Sequence, residues 1–355
     1  MNRRSAKEVY VGSVKVGGNA PISVQSMTNT DTRDVADTVK QIKELESAGC
    51  EIIRVAVPDH TAVNSLHPIL DQISIPLIAD IHFNYQLALE ALEKGVHGLR
   101  INPGNIGGEE KVAAVVAAAG KKNVPIRIGV NAGSLEKELL QLYGGITAEV
   151  MVESALRHVR ILERLQFNDI KISLKASNVP LMTDAYRILA HKVDYPLHVG
   201  VTEAGTLRAG TVKSAVGIGI LLAEGIGDTI RVSLTGHPIH EVQVGYDILK
   251  TLGLRKKGIE LISCPTCGRT EIDLISIAEE VEDKLKGIDL PLQVAVMGCA
   301  VNGPGEARHA DIGIAGGKGE GLLFKKGKII RKIAGDKLAD ELVSEVYAIY
   351  NQMKK

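Results

Sequence analysis

Short apolar runs and helical stretches alternate along most of the chain. From residue 22 to about residue 250, runs rich in Val and Ile are each followed by a segment whose apolar residues recur at helical spacing. In residues 34–48 one helical face carries Val35, Val39, Ile42 and Leu45, and Gly49 follows as a stop signal. The pattern predicts repeated strand–helix units.

Eight such strand-like runs precede residue 255. They span residues 22–26, 52–57, 76–80, 98–102, 125–130, 170–175, 196–201 and 228–234, and a helical pattern follows each. Eight strand–helix units in a segment of this length favour an α/β fold of the TIM (β/α)₈ barrel type over an open doubly wound sheet. Ahead of them, VYVGSVKVGG (9–18) predicts a hairpin that closes the bottom of the barrel.

The regular alternation of strand-like and helical segments ends at LRKKG (254–258), which we interpret as a linker. A strand ending at Cys264, a helix over 271–286, a strand over 292–298, a hairpin over 312–330 and a last helix from Asp336 follow. We interpret GGKGEG (316–321) as a hairpin turn, since the Lys-Ser/Thr pair and helix of a phosphate loop are missing. The sequence thus predicts a barrel over 1–255 and a small α+β domain over 256–355.

Charge and composition exclude some classes of partner. The 42 Lys and Arg residues balance 42 Asp and Glu, Trp is absent and only three Phe occur. A general nucleic-acid or anionic-membrane surface needs a basic excess, and single-stranded nucleic acid needs aromatic rings to stack on. The basic start lacks the apolar core of a signal peptide, and no apolar run is long enough to span a bilayer. These features predict a cytoplasmic protein.

Cations lie inside or at the ends of the predicted apolar strands. Barrel enzymes carry their chemistry at these carboxyl ends, and here the sequence places Arg54, Arg100, Arg127, Lys175 and Arg231. One explanation is a ring of internal salt bridges to the strand-end acids Asp80 and Glu203. Two acids cannot neutralise five cations, and Arg pairs bidentately with phosphate oxygens. We therefore predict a phosphorylated or diphosphorylated ligand.

Other polar residues follow the same strands. His82 lies beside Asp80 and is a candidate proton donor or ligand orienter. Glu203, in a loop of small residues near several cations, is a candidate acid or base, or an acceptor for a substrate hydroxyl. Asn131 and Ser233 complete the polar strand ends.

Three of the four cysteines fall in the second predicted domain. Cys264-Pro-Thr-Cys267 forms a C-x-x-C pair, and Cys299 ends a later β-rich run, whereas Cys50 fits a buried small hydrophobe. The spacing leaves open zinc with His309 as fourth ligand, an iron–sulfur cluster with a non-Cys ligand, or a redox pair. A non-redox barrel enzyme with a structural zinc module is therefore one alternative.

Long motifs resemble one known family. SCPTCGRTEIDL (263–274) and VMGCAVNGPGEARHADIGIAGG (296–317) are similar to the iron–sulfur domain of bacterial 4-hydroxy-3-methylbut-2-enyl diphosphate synthases. SVQSMTNTDT, IRIGVNAGSL, HVGVTEAG and IRVSLTG resemble that family's barrel motifs. The resemblance covers essentially the whole chain. It implies an iron–sulfur oxidoreductase that opens 2-C-methyl-D-erythritol 2,4-cyclodiphosphate reductively and removes a hydroxyl as water.

The resemblance also implies roles for individual residues. It implies a 4Fe–4S cluster held by Cys264, Cys267, Cys299 and Glu306, in which the Glu306 carboxylate can leave to open one iron. Glu203 matches the family's acid near the reacting carbons, and Asn131 a hydrogen-bonding position. The matching diphosphate-binding positions are Arg54, Arg100, Arg127, Lys175, Arg231 and Ser233, and Asp80 and His82 remain further substrate-binding candidates.

The resemblance implies partners as well. Reduced flavodoxin or ferredoxin is the expected electron donor, and the chain has no dinucleotide fingerprint. The family forms a homodimer in which the cluster of one subunit caps the barrel of the other, and we expect the same arrangement here.

Overall fold

The structure, a computed structural model, describes residues 2–299, 305 and 307–353. The chain divides into two compact units, Met1–Arg255 and Lys256–Lys355. No helix within the described ranges combines the length and the apolar character that a membrane crossing requires.

In the described part of the first unit, eight parallel strands form a barrel. They are β3 (Ser23–Met27), β4 (Ile52–Ala56), β5 (Leu77–Asp80), β6 (Gly98–Ile101), β7 (Ile126–Asn131), β8 (Ile170–Lys175), β9 (His198–Val199) and β10 (Thr229–Ile230). Neighbours follow the order β8-β7-β6-β5-β4-β3-β10-β9. The ring closes where Ile172 bridges Leu197 just before β9, and the Ile172 N–H donates to the Pro196 carbonyl at 3.0 Å. The predicted barrel is confirmed.

Helices connect and surround these strands. They are α1 (Val35–Ser47), α2 (His60–Leu70), α3 (Tyr85–Glu93), α4 (Glu109–Lys121), α5 (Lys137–Tyr143), α6 (Ala148–Arg164), α7 (Val179–Ala190), α8 (Leu207–Ala223) and α9 (Ile239–Thr251). Short 3-10 turns span Pro103–Asn105 and Ala132–Ser134. Five of these helices begin at a residue whose side chain accepts a hydrogen bond from a backbone N–H of the first turn, namely Asp34, Asp59, Asn84, Thr147 and Asn178.

The amino-terminal hairpin packs against the start of the barrel strands. Strands β1 (Val9–Val11) and β2 (Val14–Val16) pair antiparallel. Val11 and Val16 form an apolar cluster with Ile52 and Ile78, which lie at or near the first residues of β4 and β5. The predicted closure of the barrel bottom is therefore confirmed, and the other end of the barrel remains as the mouth.

The second unit is a mixed sheet covered by helices. Its elements are β11 (Glu260–Ser263), α10 (Leu274–Lys284), β12 (Gln293–Met297), β13 (Ile312–Gly316), β14 (Glu320–Lys325), β15 (Lys328–Ala334) and α11 (Leu338–Met353), with a 3-10 turn at Gly335–Lys337. Strands β11, β12 and β13 run parallel, and β13, β14 and β15 pair antiparallel. An apolar core joins α10 and α11 to the sheet. Residues 317–319 turn between β13 and β14, which confirms a hairpin turn at GGKGEG.

Candidate active site

The barrel interior is polar, which is unusual because the inside of such barrels is normally filled by branched apolar residues. On β8 the outward side chains Ile170, Ile172 and Leu174 join the core between strands and helices. Because side chains alternate along a strand, Lys171, Ser173 and Lys175 face inward. The same alternation turns polar groups inward on the other strands, including Gln25, Arg54, Asp80, Arg100, Arg127, His198 and Thr229, all of which are buried.

Asp80 joins two of these cations. Its carboxylate lies 3.6 Å from Arg54 Nε and 3.3 Å from Arg100 Nη1, and all three side chains are buried. Arg100 Nη1 also lies 2.9 Å from His82 Nε2, and Arg100 Nη2 donates to the Gly129 carbonyl at 3.1 Å. These contacts hold the guanidinium of Arg100 in one position inside the barrel.

The charges around Asp80 keep it ionised. Burial alone would raise the pKa of the Asp80 carboxyl, but Arg54, His82 and Arg100 together hold that pKa below its ordinary value. Burial in turn lowers the pKa of Arg54 to about 10, although Asp80 opposes the shift. Asp80 therefore acts as a fixed anion that orients two arginines.

Arg127 is far less well partnered. Its side chain is 1% exposed, and Nη1 donates to Ser173 Oγ at 2.7 Å. Nε and Nη2 have no hydrogen-bond partner among the residues that the structure describes. Burial, with Arg54 and Arg100 nearby, lowers the pKa of the Arg127 guanidinium well below its ordinary value. Because an arginine side chain stays protonated in proteins, these two nitrogens are charged donors that an anion bound beside them would satisfy.

A second group of buried polar side chains accompanies Arg127. Lys171 lies opposite Arg127 in the β7–β8 register, Lys175 lies opposite Asn131, and His198 is fully buried on β9. Lys171 Nζ and both ring nitrogens of His198 lack hydrogen-bond partners. Lys175 was predicted from the sequence, whereas Lys171 and His198 were not, although period-two alternation in IKISLK places Lys171 and Lys175 on one face.

Arg231 is paired with an acid that the sequence analysis also missed. Glu241 is buried on α9, and its carboxylate lies 3.4 Å from Arg231 Nη2. The same carboxylate accepts hydrogen bonds from Ser26 Oγ at 3.2 Å and from the Leu234 N–H at 3.0 Å. Asp80 and Glu241 are therefore the acids that pair with strand-end arginines, and no salt bridge between described residues involves Glu203. No sequence signal marked Glu241, because an acid on an amphipathic helix usually faces solvent.

The remaining predicted residues lie around the strand ends. Glu203 is exposed, has a positive φ of 50°, and accepts from Lys213 Nζ at 3.5 Å through its backbone carbonyl only. A positive φ is strained for a residue with a side chain, and such strain is concentrated at functional loops. His82 is 52% exposed, and Asn131 and Ser233 are half-buried.

The cysteines of the second unit follow neighbouring parallel strands. Cys264 comes directly after β11 and Cys299 two residues after β12. The Gly298 N–H donates to Cys264 Sγ at 3.2 Å, and the Cys267 N–H donates to Thr270 Oγ1 at 3.1 Å. Backbone hydrogen bonding from Arg269 lowers the pKa of the exposed Cys267 thiol.

This donor set fits an iron–sulfur cofactor. N–H groups directed at sulfur stabilise the thiolates that bind clusters and tune them. Within the described residues, no group of three or more His, Cys, Asp or Glu side chains is already placed to hold a metal ion. The predicted ligand Glu306 lies outside the described residues. His309 is exposed, and its Nε2 accepts from Arg308 Nε at 3.2 Å.

Comparison with known proteins decides the family. The GcpE TIM-barrel domain model matches residues 6–246, and the model of the GcpE protein C-terminal domain matches residues 260–348. The chain belongs to the GcpE family. The predicted family resemblance and enzyme class are thereby confirmed, and a non-redox enzyme with a zinc module is not favoured.

Curated relatives match this GcpE-family chain over nearly its whole length. The 4-hydroxy-3-methylbut-2-en-1-yl diphosphate synthase (flavodoxin) of Geobacter sulfurreducens is 65% identical over 347 residues, covering 98% of each chain. The protein of the same name from Clostridium perfringens is 62% identical over 349 residues, covering 98% of this chain and all of its own.

A solved structure supports the fold alone. Yersinia pestis dihydropteroate synthase superposes with a TM-score of 0.50 at 14% identity, covering 70% of this chain and 98% of its own. At this identity the likeness says nothing about the ligand of the GcpE-family barrel.

Proposed function

We propose that this protein is a flavodoxin-dependent 4-hydroxy-3-methylbut-2-en-1-yl diphosphate synthase. It accepts 2-C-methyl-D-erythritol 2,4-cyclodiphosphate, opens the ring with two electrons and two protons, and releases a hydroxyl as water. The observation that carries the proposal is the buried, under-partnered Arg127 in a barrel interior lined by cations. Membership of the GcpE family supplies the reaction.

The barrel residues would bind and orient the diphosphate. The proposed phosphate contacts are Arg54, Arg100, Arg127, Lys175, Arg231 and Ser233, with Asn131 and His82 as hydrogen-bonding groups. Asp80 would hold Arg54 and Arg100 in place rather than contact phosphate, since two anions repel. Several fixed cations restrict the ligand to one orientation, and that restriction is itself a large part of catalysis.

Glu203 would serve the reacting end of the substrate. Its exposed carboxylate lies on the loop after β9, above the strand ends. A carboxyl group there can donate the proton that a departing hydroxyl needs to leave as water. We place the acid role on Glu203 because two buried acids near the strand ends, Asp80 and Glu241, already pair with arginines.

The second unit would hold the cofactor. We assign a 4Fe–4S cluster to Cys264, Cys267, Cys299 and Glu306. When bound, such a cluster supplies electrons. An iron whose carboxylate ligand has left would also act as a Lewis acid. We propose that residues 1–255 form the substrate-binding barrel and that residues 256–355 form the cluster domain. We further propose reduced flavodoxin or ferredoxin as donor, a cytoplasmic location, and a homodimer in which each barrel is capped by its partner's cluster.

Two variants separate the two sites. Arg127→Ala should weaken binding of the cyclic diphosphate by at least about tenfold, since a charge-assisted contact is lost, and keep the visible absorbance of the cluster. Cys267→Ser should lose that absorbance but retain binding. Calorimetry and absorbance of anaerobically purified protein measure both properties.

Arg160→Ala is the matched control, because Arg160 is an exposed helix residue paired with Glu153. It should leave both properties unchanged. Full affinity in Arg127→Ala would make Arg127 a structural residue and contradict the assignment of the barrel interior as the diphosphate site.

A further inference from the structure

Lys171 carries a buried amino group that has no hydrogen-bond partner in the part of the chain that the structure describes. Its side chain is 1% exposed, and Nζ makes no hydrogen bond. It lies opposite Arg127 in the β7–β8 register, two residues before Ser173, the acceptor for Arg127 Nη1. The proposed substrate contacts do not include it, although it lies beside the deepest of them.

No carboxylate within the described ranges neutralises Lys171. The ionisable groups that face the interior are Arg54, Asp80, Arg100, Arg127, Lys175, His198 and Arg231, and Glu241 of α9 pairs with Arg231. Asp80 already pairs with Arg54 and Arg100, and the hairpin below contributes the apolar Val11 and Val16. Among the described residues, no salt bridge involves Lys171 Nζ.

A lone buried ammonium favours its neutral form, because burial removes water from the charge and Arg127 repels it. Together these effects lower the pKa of Lys171 to about 7. Near neutral pH the residue is therefore poised between an amine and an ammonium ion, and a small change in the local charge decides which form is present.

We propose that Lys171 takes up a proton when a diphosphate binds at Arg127, so that the site gains a cation only when the substrate is present. This inference rests on the proposed function. An anion at the free nitrogens of Arg127 lies close to Lys171 and favours its charged form. Because linkage is reciprocal, a group that gains a proton on binding must also strengthen binding.

The sign of the pH effect follows directly. Above a pH of about 7 the free protein holds Lys171 mostly as the amine. Binding then adds a proton, so affinity falls as the pH rises further. Replacing Lys171 with Met, which resembles the neutral amine in shape, should make the affinity weaker and less dependent on pH over this range.

Isothermal titration calorimetry tests the proposal. The anaerobic holoenzyme, without reductant, is titrated with the cyclic diphosphate at about pH 8 in buffers of different ionisation enthalpy, which gives the number of protons exchanged. The wild type should take up at least about half a proton more than Lys171→Met. Lys171→Met should bind about three- to tenfold more weakly.

Lys171→Arg is the second variant, since its charge is permanent. It should bind at least as well as Lys171→Met while also lacking the extra proton uptake. Burial also lowers the pKa of Lys175 well below its ordinary value. Lys175 is present in all three proteins, so any proton that it takes up is counted equally in each of them. Melting curves check folding, and Lys171→Met should melt no lower than the wild type, because it removes a partnerless buried amine.

Each outcome has a distinct meaning. Equal proton uptake by the wild type and Lys171→Met would overturn the inference and leave the proposed function intact. A wild-type holoenzyme that fails to bind the cyclic diphosphate would instead contradict the proposed function itself.

Discussion

Arg127 combines nearly complete burial with a donor set that the protein uses only in part. Of its three side-chain nitrogens, Nη1 bonds Ser173 while Nε and Nη2 have no partner. Leaving buried charged donors unsatisfied costs more free energy than a typical hydrogen bond contributes, so a chain selected for stability alone would not retain them. At the scale of one residue, the barrel is built for an anion that is not part of the protein.

The proposed fourth cluster ligand gives a prediction at the same scale. Glu306→Ala should alter the cluster absorbance or abolish activity, because one iron loses its oxygen ligand. His309→Ala should leave the cluster fully loaded, since His309 is exposed and its Nε2 contacts Arg308. Iron content, absorbance and activity of the anaerobic proteins measure the difference.

The opposite pattern would change the assignment. Loss of metal in His309→Ala together with a normal cluster in Glu306→Ala would favour the zinc-type ligand set that the cysteine spacing alone left open.

Individual interior residues show where sequence reasoning stopped. Arg54, Arg100 and Arg127 stood out because a cation inside an apolar strand is conspicuous. Lys171 could have been found by the same logic, since it shares a strand face with Lys175. His198 and Glu241 could not, because a lone His in a strand and an acid on a helix usually have ordinary structural roles, and only tertiary packing shows that both are buried.

At the scale of elements, the hydrophobic pattern predicted every barrel strand but not every length. The runs at 196–201 and 228–234 form the two-residue strands His198–Val199 and Thr229–Ile230. Just past β10 the Arg231 N–H still donates to the Val199 carbonyl, and the two chain segments bridge again at Thr206 and Thr235. Between these points the chain forms the loops that carry Glu203 and Ser233. The alternation of apolar and polar side chains continues into these loops, whereas the hydrogen bonds between strands do not. The sequence pattern therefore overestimates the length of strands that end at the mouth of the barrel.

The contact between β6 and β7 provides a prediction for an element. A Cβ atom at Gly129 would lie 2.9 Å from Arg100 Nε, so Gly129→Ala should displace the Arg100 guanidinium from its place beside Asp80. The affinity for the cyclic diphosphate should fall about tenfold, while the melting temperature changes little because the end of a flexible side chain can move. Calorimetry and thermal melting measure the two effects.

Gly120→Ala is the matched control. Gly120 lies in α4, and apart from its chain neighbours and the backbone of its own helix, no atom of the described residues lies within 4 Å of the added Cβ. It should keep full affinity and become slightly more stable, because Ala favours helix. Equal affinities for the two variants would show that the position of Arg100 is unimportant for the ligand.

At the scale of the whole molecule, the balance of 42 cations and 42 anions hides an uneven distribution. Surface pairs such as Arg187 with Glu224 and Lys284 with Glu280 balance one another. The barrel interior retains an excess of positive charge around Asp80. The pattern predicted the barrel and the smaller unit, and long motifs predicted the family. Residues 300–304 and 306 lie outside the described residues, so the role of Glu306 depends on the resemblance alone.

The most direct test of the account is turnover by the isolated protein. The anaerobically purified enzyme is supplied with 2-C-methyl-D-erythritol 2,4-cyclodiphosphate and reduced flavodoxin, and the products are identified by mass spectrometry. The account predicts a brown protein that forms 4-hydroxy-3-methylbut-2-enyl diphosphate with consumption of two electrons for each molecule. A colourless protein that contains stoichiometric zinc and leaves the cyclic diphosphate unchanged would contradict it.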